Sequence, residues 1–300
     1  ETTYSLGSTV GVGYLPAIIA ADRICDEYGL DTMSAGVTIG FAMELYERGI
    51  LTKKDTDGLE LKFGNYMAVI EMLRRITYQE GLGAILCQGT KKAAEKIGKG
   101  SADYAMQIKG LELPAYDVRG AKAHGLNYAT AYTGADHNRG YAFQEIFGNP
   151  NPEKVDRLAI KGKGRLTKWN QDVRCVTCDC APMCAFLLDM AVPEIACQNT
   201  ADLVNAATGM RLTTEEVQQI GERINNVARL FNIGEGFGRK DDTFPKRIMT
   251  EAIRAGASAG QLISQADLDE MLDEYYQVRG WDKDGNPTEA KLKELGIKVR

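Results

Sequence analysis

No apolar run in the 300 residues approaches the roughly 18–20 that a bilayer-crossing helix requires, which excludes a membrane span of that kind. The first segment, ETTYSLGSTVGVGYLPAIIAADR, has neither a basic leading stretch nor an Ala-x-Ala cleavage pattern, so a cytoplasmic location is the expectation. Positive charge is not in excess: 36 Lys and Arg stand scattered among 41 Asp and Glu, for a net charge of −5. The electrostatic footprint of a nucleic-acid binder is therefore missing, and small molecules or other proteins are the expected partners. Alternating β patterns are scarce, YAMQIKGLEL being the main candidate. Histidine is nearly absent, with two residues, His124 and His137. The seven cysteines are an odd number for a disulfide framework. Three of them, Cys25, Cys87 and Cys197, stand alone in apolar surroundings, as reduced thiols do.

What the chain has in abundance is helical periodicity closed by glycine. In LPAIIAADRICDEYG, the residues Leu15, Ile18, Ile19, Ile24, Cys25 and Tyr28 fall on one helical face, and Gly29 supplies a left-handed cap. SAGVTIGFAMELYERG ends in the same way at Gly49, and NYMAVIEMLRRITYQEG and GAILCQGTKKAAEKIG read as a third and a fourth helix. Further on, TTEEVQQIGERINNVARLFN opens with Thr213 and Glu216 spaced as a capping box, with Val217, Ile220, Ile224, Val227, Leu230 and Phe231 on one stripe. SQADLDEMLDEYYQVRG is another amphipathic helix, acidic early where the helix dipole favours it. The fold class expected is mainly α and multihelical, divided near residue 108 into a helical domain 1–108 and a helical domain 109–300.

Three stretches carry candidate chemistry. DEYGLDT sets Asp26 and Asp31 on either side of a helix-ending glycine. A C-cap followed by an N-cap explains it without a ligand, whereas two carboxylates beside a tight turn with Leu30 at its edge also suit an N–H-rich ring. TGADHNRGY packs Asp136, His137 and Arg139 between glycines. A lone histidine is more often structural than catalytic, but imidazole titrates near neutral pH, and His137 is the proton-transfer candidate. CVTCDCAPMC concentrates Cys175, Cys178, Cys180 and Cys184 around Asp179. A closed zinc site uses four soft ligands, usually as two separated pairs, and this spacing matches neither a zinc ribbon nor a ferredoxin run. A third option remains, in which one cysteine completes a cluster whose other ligands lie elsewhere.

Taken in order, these segments resemble a known family over essentially the whole chain. DEYGLDT resembles the D-x-x-G-L-D pterin motif of tungsten-containing aldehyde:ferredoxin oxidoreductases, and DVRGAKAHGLNYATAYTGADHNRGY the stretch that brings a histidine to their active site. EGFGRKDDTFPKR and YYQVRGWDKDGNPTEAKLKELGI are similar to their C-terminal signatures. The family's second motif, D-x-x-G-L-C, is matched by Asp179 to Cys184, with Pro-Met in place of Gly-Leu.

The resemblance implies two C-terminal helical domains of such an enzyme, with Asp26, Leu30, Asp31, Arg139, Asp179 and Ala185 contacting a tungsten bis-pterin. It implies Cys184 as one ligand of a [4Fe–4S] cluster and Mg²⁺ bridging the pterin phosphates. Glu1 and His137 would manage protons while an aldehyde becomes a carboxylate, with electrons passing to ferredoxin or an iron–sulfur subunit in a homo- or hetero-oligomer. The family's other three cluster ligands and its β-rich domain precede the equivalent of Glu1, so a truncated chain is expected. Two alternatives stand beside this reading. One is a tungsten aryl-CoA reductase of the same superfamily. The other is a non-enzymatic helical scaffold using CVTCDCAPMC as a zinc knot, and the roles of Cys175, Cys178 and Cys180 stay open.

Overall fold

Gly29 takes φ 68° and ends the first long helix, Leu15–Tyr28, where the sequence places its stop. Two residues later Asp31 starts the next, Thr32–Glu47, its carboxylate accepting from the Met33 and Ser34 amides. The computed structural model describes residues 1–114, 116–187 and 195–298. Among these, strand is confined to a two-residue antiparallel pair, Gln107–Ile108 with Leu111–Glu112, in the register Gln107↔Glu112. The mainly α, multihelical class is therefore the fold of this chain. None of its described helices is long and apolar enough to cross a membrane.

Contacts divide the chain into two units, Glu1–Tyr116 with Phe244–Arg247, and Asp117–Thr243 with Ile248–Arg300. In the first, the helices Leu15–Tyr28, Thr32–Glu47 and Tyr66–Tyr78 enclose an apolar core that includes Leu6, Ile39, Met43, Leu61 and Met72. Each such side chain, fully buried, contributes roughly 1.5–3 kcal/mol against exposure.

The face of Leu15–Tyr28 turned inward differs from the apolar stripe read in the sequence. Ala17, Ile18, Ala21 and Cys25 are buried, while Leu15, Ile19 and Tyr28 are exposed. Small residues let the neighbouring Tyr66–Tyr78 helix approach, and the larger ones are left outside.

Two other expectations need correction. Tyr66–Tyr78 closes on Gln79, a non-glycine residue at φ 55°, rather than on Gly81. The expected fourth helix is two, Gly83–Leu86 and Gly89–Ile97, because Gly89 adopts φ 79° between them. A residue in that conformation cannot continue a right-handed helix.

The second unit is organised around the helix Lys163–Arg174, whose buried residues are mostly polar: Lys163, Thr167, Asn170, Gln171, Asp172 and Arg174 beside Leu166 and Val173. Helices Lys122–Thr130, Thr214–Gly234 and Gln265–Arg279 pack against it. Close approach is made at glycines. A Cβ on Gly164 would lie 2.5 Å from the Tyr275 amide nitrogen, and one on Gly221 would overlap the Asp172 carbonyl.

The capping box read at Thr213/Glu216 forms, and the helix expected from SQADLDEMLDEYYQVRG opens on a second one, Ser264/Asp267. The apolar stripe of Thr214–Gly234 does not all face inward. Val217, Gly221, Asn225, Asn226 and Arg229 are buried, with Val227 and Phe231 exposed. The reason is the polar partner. Asn225 donates to Asp172 Oδ1 at 2.9 Å, and Arg229 pairs with Asp242 at 2.9 Å, so the inward face serves hydrogen bonds rather than oil-like packing.

Candidate functional site

In the first unit the N-terminal residues and the DEYGLDT turn are brought together. Thr2 Oγ1 lies 2.8 Å from Thr32 Oγ1, next to Asp31, and the Glu1 carboxylate accepts from the Tyr116 hydroxyl at 2.5 Å. Asp31 is exposed and serves as the N-cap, so the structural explanation of the turn holds in full. It does not exhaust the carboxylate, which keeps lone pairs beyond the two it uses for the Met33 and Ser34 amides. Asp26 is exposed on the last turn of Leu15–Tyr28, and Leu30 is half-buried.

Beside the turn opens a cleft of about 260 Å³, with Leu30, Ile76 and Leu86 as apolar lining and Asp31, Thr38 and Glu112 among its polar groups. An apolar-walled cleft with a few convergent acceptors suits the edge of a flat, N–H-bearing ring. The donor and acceptor set therefore fits a pterin.

In the second unit the site grows from the 3₁₀ turn His137–Arg139. Asp136 caps it, accepting from the Asn138 amide at 2.8 Å, and Thr133 Oγ1 donates to its other oxygen at 3.2 Å. Arg139 converges on the same group: Nε donates to Asp136 at 3.2 Å, and Nη1 donates to the Tyr132 hydroxyl at 2.7 Å and to Asp179 at 2.8 Å. Burial works against the Arg139 charge, but Tyr132, Asp179 and Asp136 more than offset it and its pKa is raised. Burial likewise pushes the Tyr132 hydroxyl up, against the hydrogen bond from Arg139.

Asp179 reaches this position from a π-helical turn, Cys175–Cys180, that continues Lys163–Arg174. A π turn carries an extra residue per turn and re-aims the side chains that follow it.

His137 is buried, with Nε2 3.1 Å from Asn138 Nδ2. An amide nitrogen only donates, so Nε2 accepts there. Its ring meets Tyr141 edge-on at 5.7 Å, and Tyr141 lies 4.8 Å from His124, which lies 4.8 Å from Tyr128. The two histidines of the chain thus belong to one aromatic cluster. Burial holds His124 down to about 3, with His137 and Arg174 adding to the effect, so this ring is neutral.

The cysteines of this stretch do not share one environment. Cys175 is buried and accepts from Asn225 Nδ2 at 3.4 Å, Cys178 is half-buried, and Cys180 and Cys184 are exposed. Burial pushes the Cys175 thiol up to about 12, with Asp179 and Asp172 adding to it, so a thiolate is disfavoured there. Among the described residues no set of three or more His, Cys, Asp or Glu side chains is placed to hold a metal ion. A four-cysteine zinc site is not formed by them. Cys184 is exposed, and Ala185 beside it is half-buried.

Sequence reasoning missed Tyr132, Tyr141 and Glu112. The partners that give the first two meaning, Arg139 and the histidine pair, are joined to them by folding and by no readable motif.

A family model described as "Aldehyde ferredoxin oxidoreductase, domains 2 & 3" matches residues 1–297. The chain is 40% identical over 303 residues to the tungsten-containing aldehyde ferredoxin oxidoreductase of Pyrococcus horikoshii, covering 99% of this chain and 48% of that one. Identity to the enzyme of the same name from Thermococcus kodakarensis is 39% over 301 residues, covering 99% and 48%. An aliphatic sulfonate oxidoreductase, WOR-like subunit, from Pyrococcus furiosus is 31% identical over 304 residues, covering 97% and 44%. The chain thus spans about half the length of the curated relatives it matches. A solved structure, the active site complex BamBC of benzoyl coenzyme A reductase with 1,5-dienoyl-CoA, superposes with a TM-score of 0.74 at 24% identity, covering 99% of this chain and 48% of that one. At that identity the likeness is one of fold.

Proposed function

The chain belongs to the aldehyde ferredoxin oxidoreductase family, and from that premise we propose that it supplies the helical, pterin-contacting and cluster-contacting part of a tungsten enzyme oxidising aldehydes to carboxylates. The observation that carries this reading is the Arg139–Asp179 pair, which joins the histidine-bearing turn to the Asp-x4-Cys segment at 2.8 Å. A structural helix bundle has no need to hold an acidic residue of a cysteine-rich π turn against a buried-histidine loop.

Asp26, Leu30 and Asp31 would meet one pterin, Arg139, Asp179 and Ala185 the other, and Cys184 the cluster. When bound, the tungsten bis-pterin centre and the [4Fe–4S] cluster supply two-electron oxidation and single-electron transfer to ferredoxin. Aldehyde and water yield carboxylic acid, two electrons and two protons, and the residues of this chain handle the protons. His137 would be one proton carrier: its Nε2 accepts from the Asn138 side chain at rest and would exchange that contact for a proton, and its ring packs edge-on against Tyr141. The Glu1 carboxylate, held by the Tyr116 hydroxyl, is the second acceptor.

The test is metal analysis of the holoenzyme from its native source, together with aldehyde-dependent reduction of a viologen dye. Tungsten with iron and a dye reduction requiring aldehyde are expected. Zinc without tungsten, or dye reduction indifferent to aldehyde, would overturn the reading.

A further inference from the structure

The cleft of the first unit holds a second carboxylate that the proposed function leaves unused. Glu112 closes the short hairpin and is 7% exposed. Its Oε1 accepts from the Thr90 amide at 2.7 Å and from Thr90 Oγ1 at 3.1 Å, capping the helix Gly89–Ile97. Gly89 makes room for it: a Cβ there would lie 2.7 Å from Oε1, and its φ of 79° suits glycine. The cap accounts for one oxygen only. Oε2 takes no donor among the described residues, and it is not one of the polar atoms sealed from solvent. Open to the cleft, this oxygen is met by water in the free protein, and a ligand N–H can take that water's place as the donor.

Glu112 lines the same cleft as Leu30 and Asp31. At about 260 Å³ the cleft falls below the roughly 300–1,000 Å³ of pockets that enclose drug-sized ligands, so it has room for a ring and not for a whole dinucleotide.

We propose that Glu112 is a second ring-binding carboxylate, its free oxygen accepting an N–H from the aminopyrimidinone edge of a pterin that Asp31 also contacts. This inference rests on the pterin reading of the DEYGLDT turn. That edge presents two N–H groups on the exocyclic amine and one on the ring, more donors than the partly occupied Asp31 carboxylate can satisfy alone. Two acceptors from opposite ends of the first unit's sequence would read the ring as a 2-amino compound and reject a 2-oxo one, whose oxygen would face a carboxylate.

The test uses the full chain, purified without added cofactor, and free pterin followed by its fluorescence. Glu112→Gln keeps an amide oxygen for the Thr90 cap while turning the free oxygen into a donor. It should weaken pterin binding about tenfold with no loss of thermal stability. The wild type should also prefer pterin over lumazine, the 2-oxo analogue, about tenfold, and the variant should lose that preference.

If Asp31→Asn weakens binding and Glu112→Gln does not, Glu112 is a helix cap alone and this inference fails while the pterin reading stands. If the wild type shows no saturable pterin binding, both fall. Tighter binding of guanosine, which carries the same edge on a ribosylated purine, would overturn pterin as the ligand. Should Glu112→Gln not fold, the wild-type ratio decides, and equal affinity for pterin and lumazine overturns the proposal.

Discussion

Arg139 holds Asp179 at 2.8 Å across 40 residues of sequence, and the same guanidinium donates to the hydroxyl of Tyr132. The pair is partly screened, with 21% and 34% of the two side chains exposed, so its coupling should be modest. A double-mutant cycle of Arg139→Met and Asp179→Asn, read by urea unfolding, should give about 1 kcal/mol. Zero coupling would mean that the contact does not hold Asp179 in place.

Stability should fall with acid through His124. Its folded pKa of about 3 lies below the ordinary 6.5, because burial first, then His137 and Arg174, disfavour the charged ring. As pH drops, the unfolded chain binds this proton before the folded one does. The contribution is complete above 6.5, declines below it by roughly 1.4 kcal/mol per pH unit, and is gone once pH passes the folded value. Urea unfolding at pH 6.5 and 5 should show that slope in the wild type. His124→Phe should lose it, and an unchanged slope in the variant would exclude His124 as its source.

Helix contact at Gly221 sets a strict size limit. A methyl group there would overlap the Asp172 carbonyl, in a unit whose central helix is also pinned by Arg279 on Asp172 and by its own Lys168 on Glu222. Gly221→Ala should cost about 1–3 kcal/mol, as overpacked interiors do. In the same helix Gly234 has open space where a Cβ would go, so Gly234→Ala should be neutral or gain up to about 1 kcal/mol. Chemical denaturation of both variants checks the contrast, and equal effects would contradict the packing.

Cysteine replacement should separate one thiol from its neighbours. In the holoenzyme, Cys184→Ser should lower iron content and alter the paramagnetic signal of the reduced cluster. Cys175→Ser and Cys178→Ser should leave both nearly intact. Loss of metal in all of them alike would make the group a single local site.

The sequence spelled out helices where a cap and a period agree, as at Thr213 with Glu216 or at Gly29 with Asp31, since both signals lie within one turn of chain. It misled where the inward face was chosen by a distant partner. Asn225 and Arg229 turn inward because Asp172 and Asp242 wait there, and hydropathy alone would have turned Val227 and Phe231 in instead. The site followed the same rule. Asp31 and His137 sit in short motifs that can be read locally. Glu112 could not be found that way, because its meaning comes from Thr90, 22 residues away, and from a glycine that admits it.

The first unit is not finished by its own stretch of chain. Phe244 is buried within it, Lys246 pairs with Asp103 at 2.7 Å, and Arg247 with Glu44 at 2.5 Å. On the ribosome, residues 1–116 emerge 131 positions before Arg247 does, by subtraction of 116 from 247. At roughly 5–20 residues per second this is a wait on the order of 10 s, during which Glu44 and Asp103 lack their cationic partners. The nascent chain is then longest exposed to proteases and chaperones at the surface that Phe244 will cover, and a gene fragment stopping at the unit's apparent end would remain in that state.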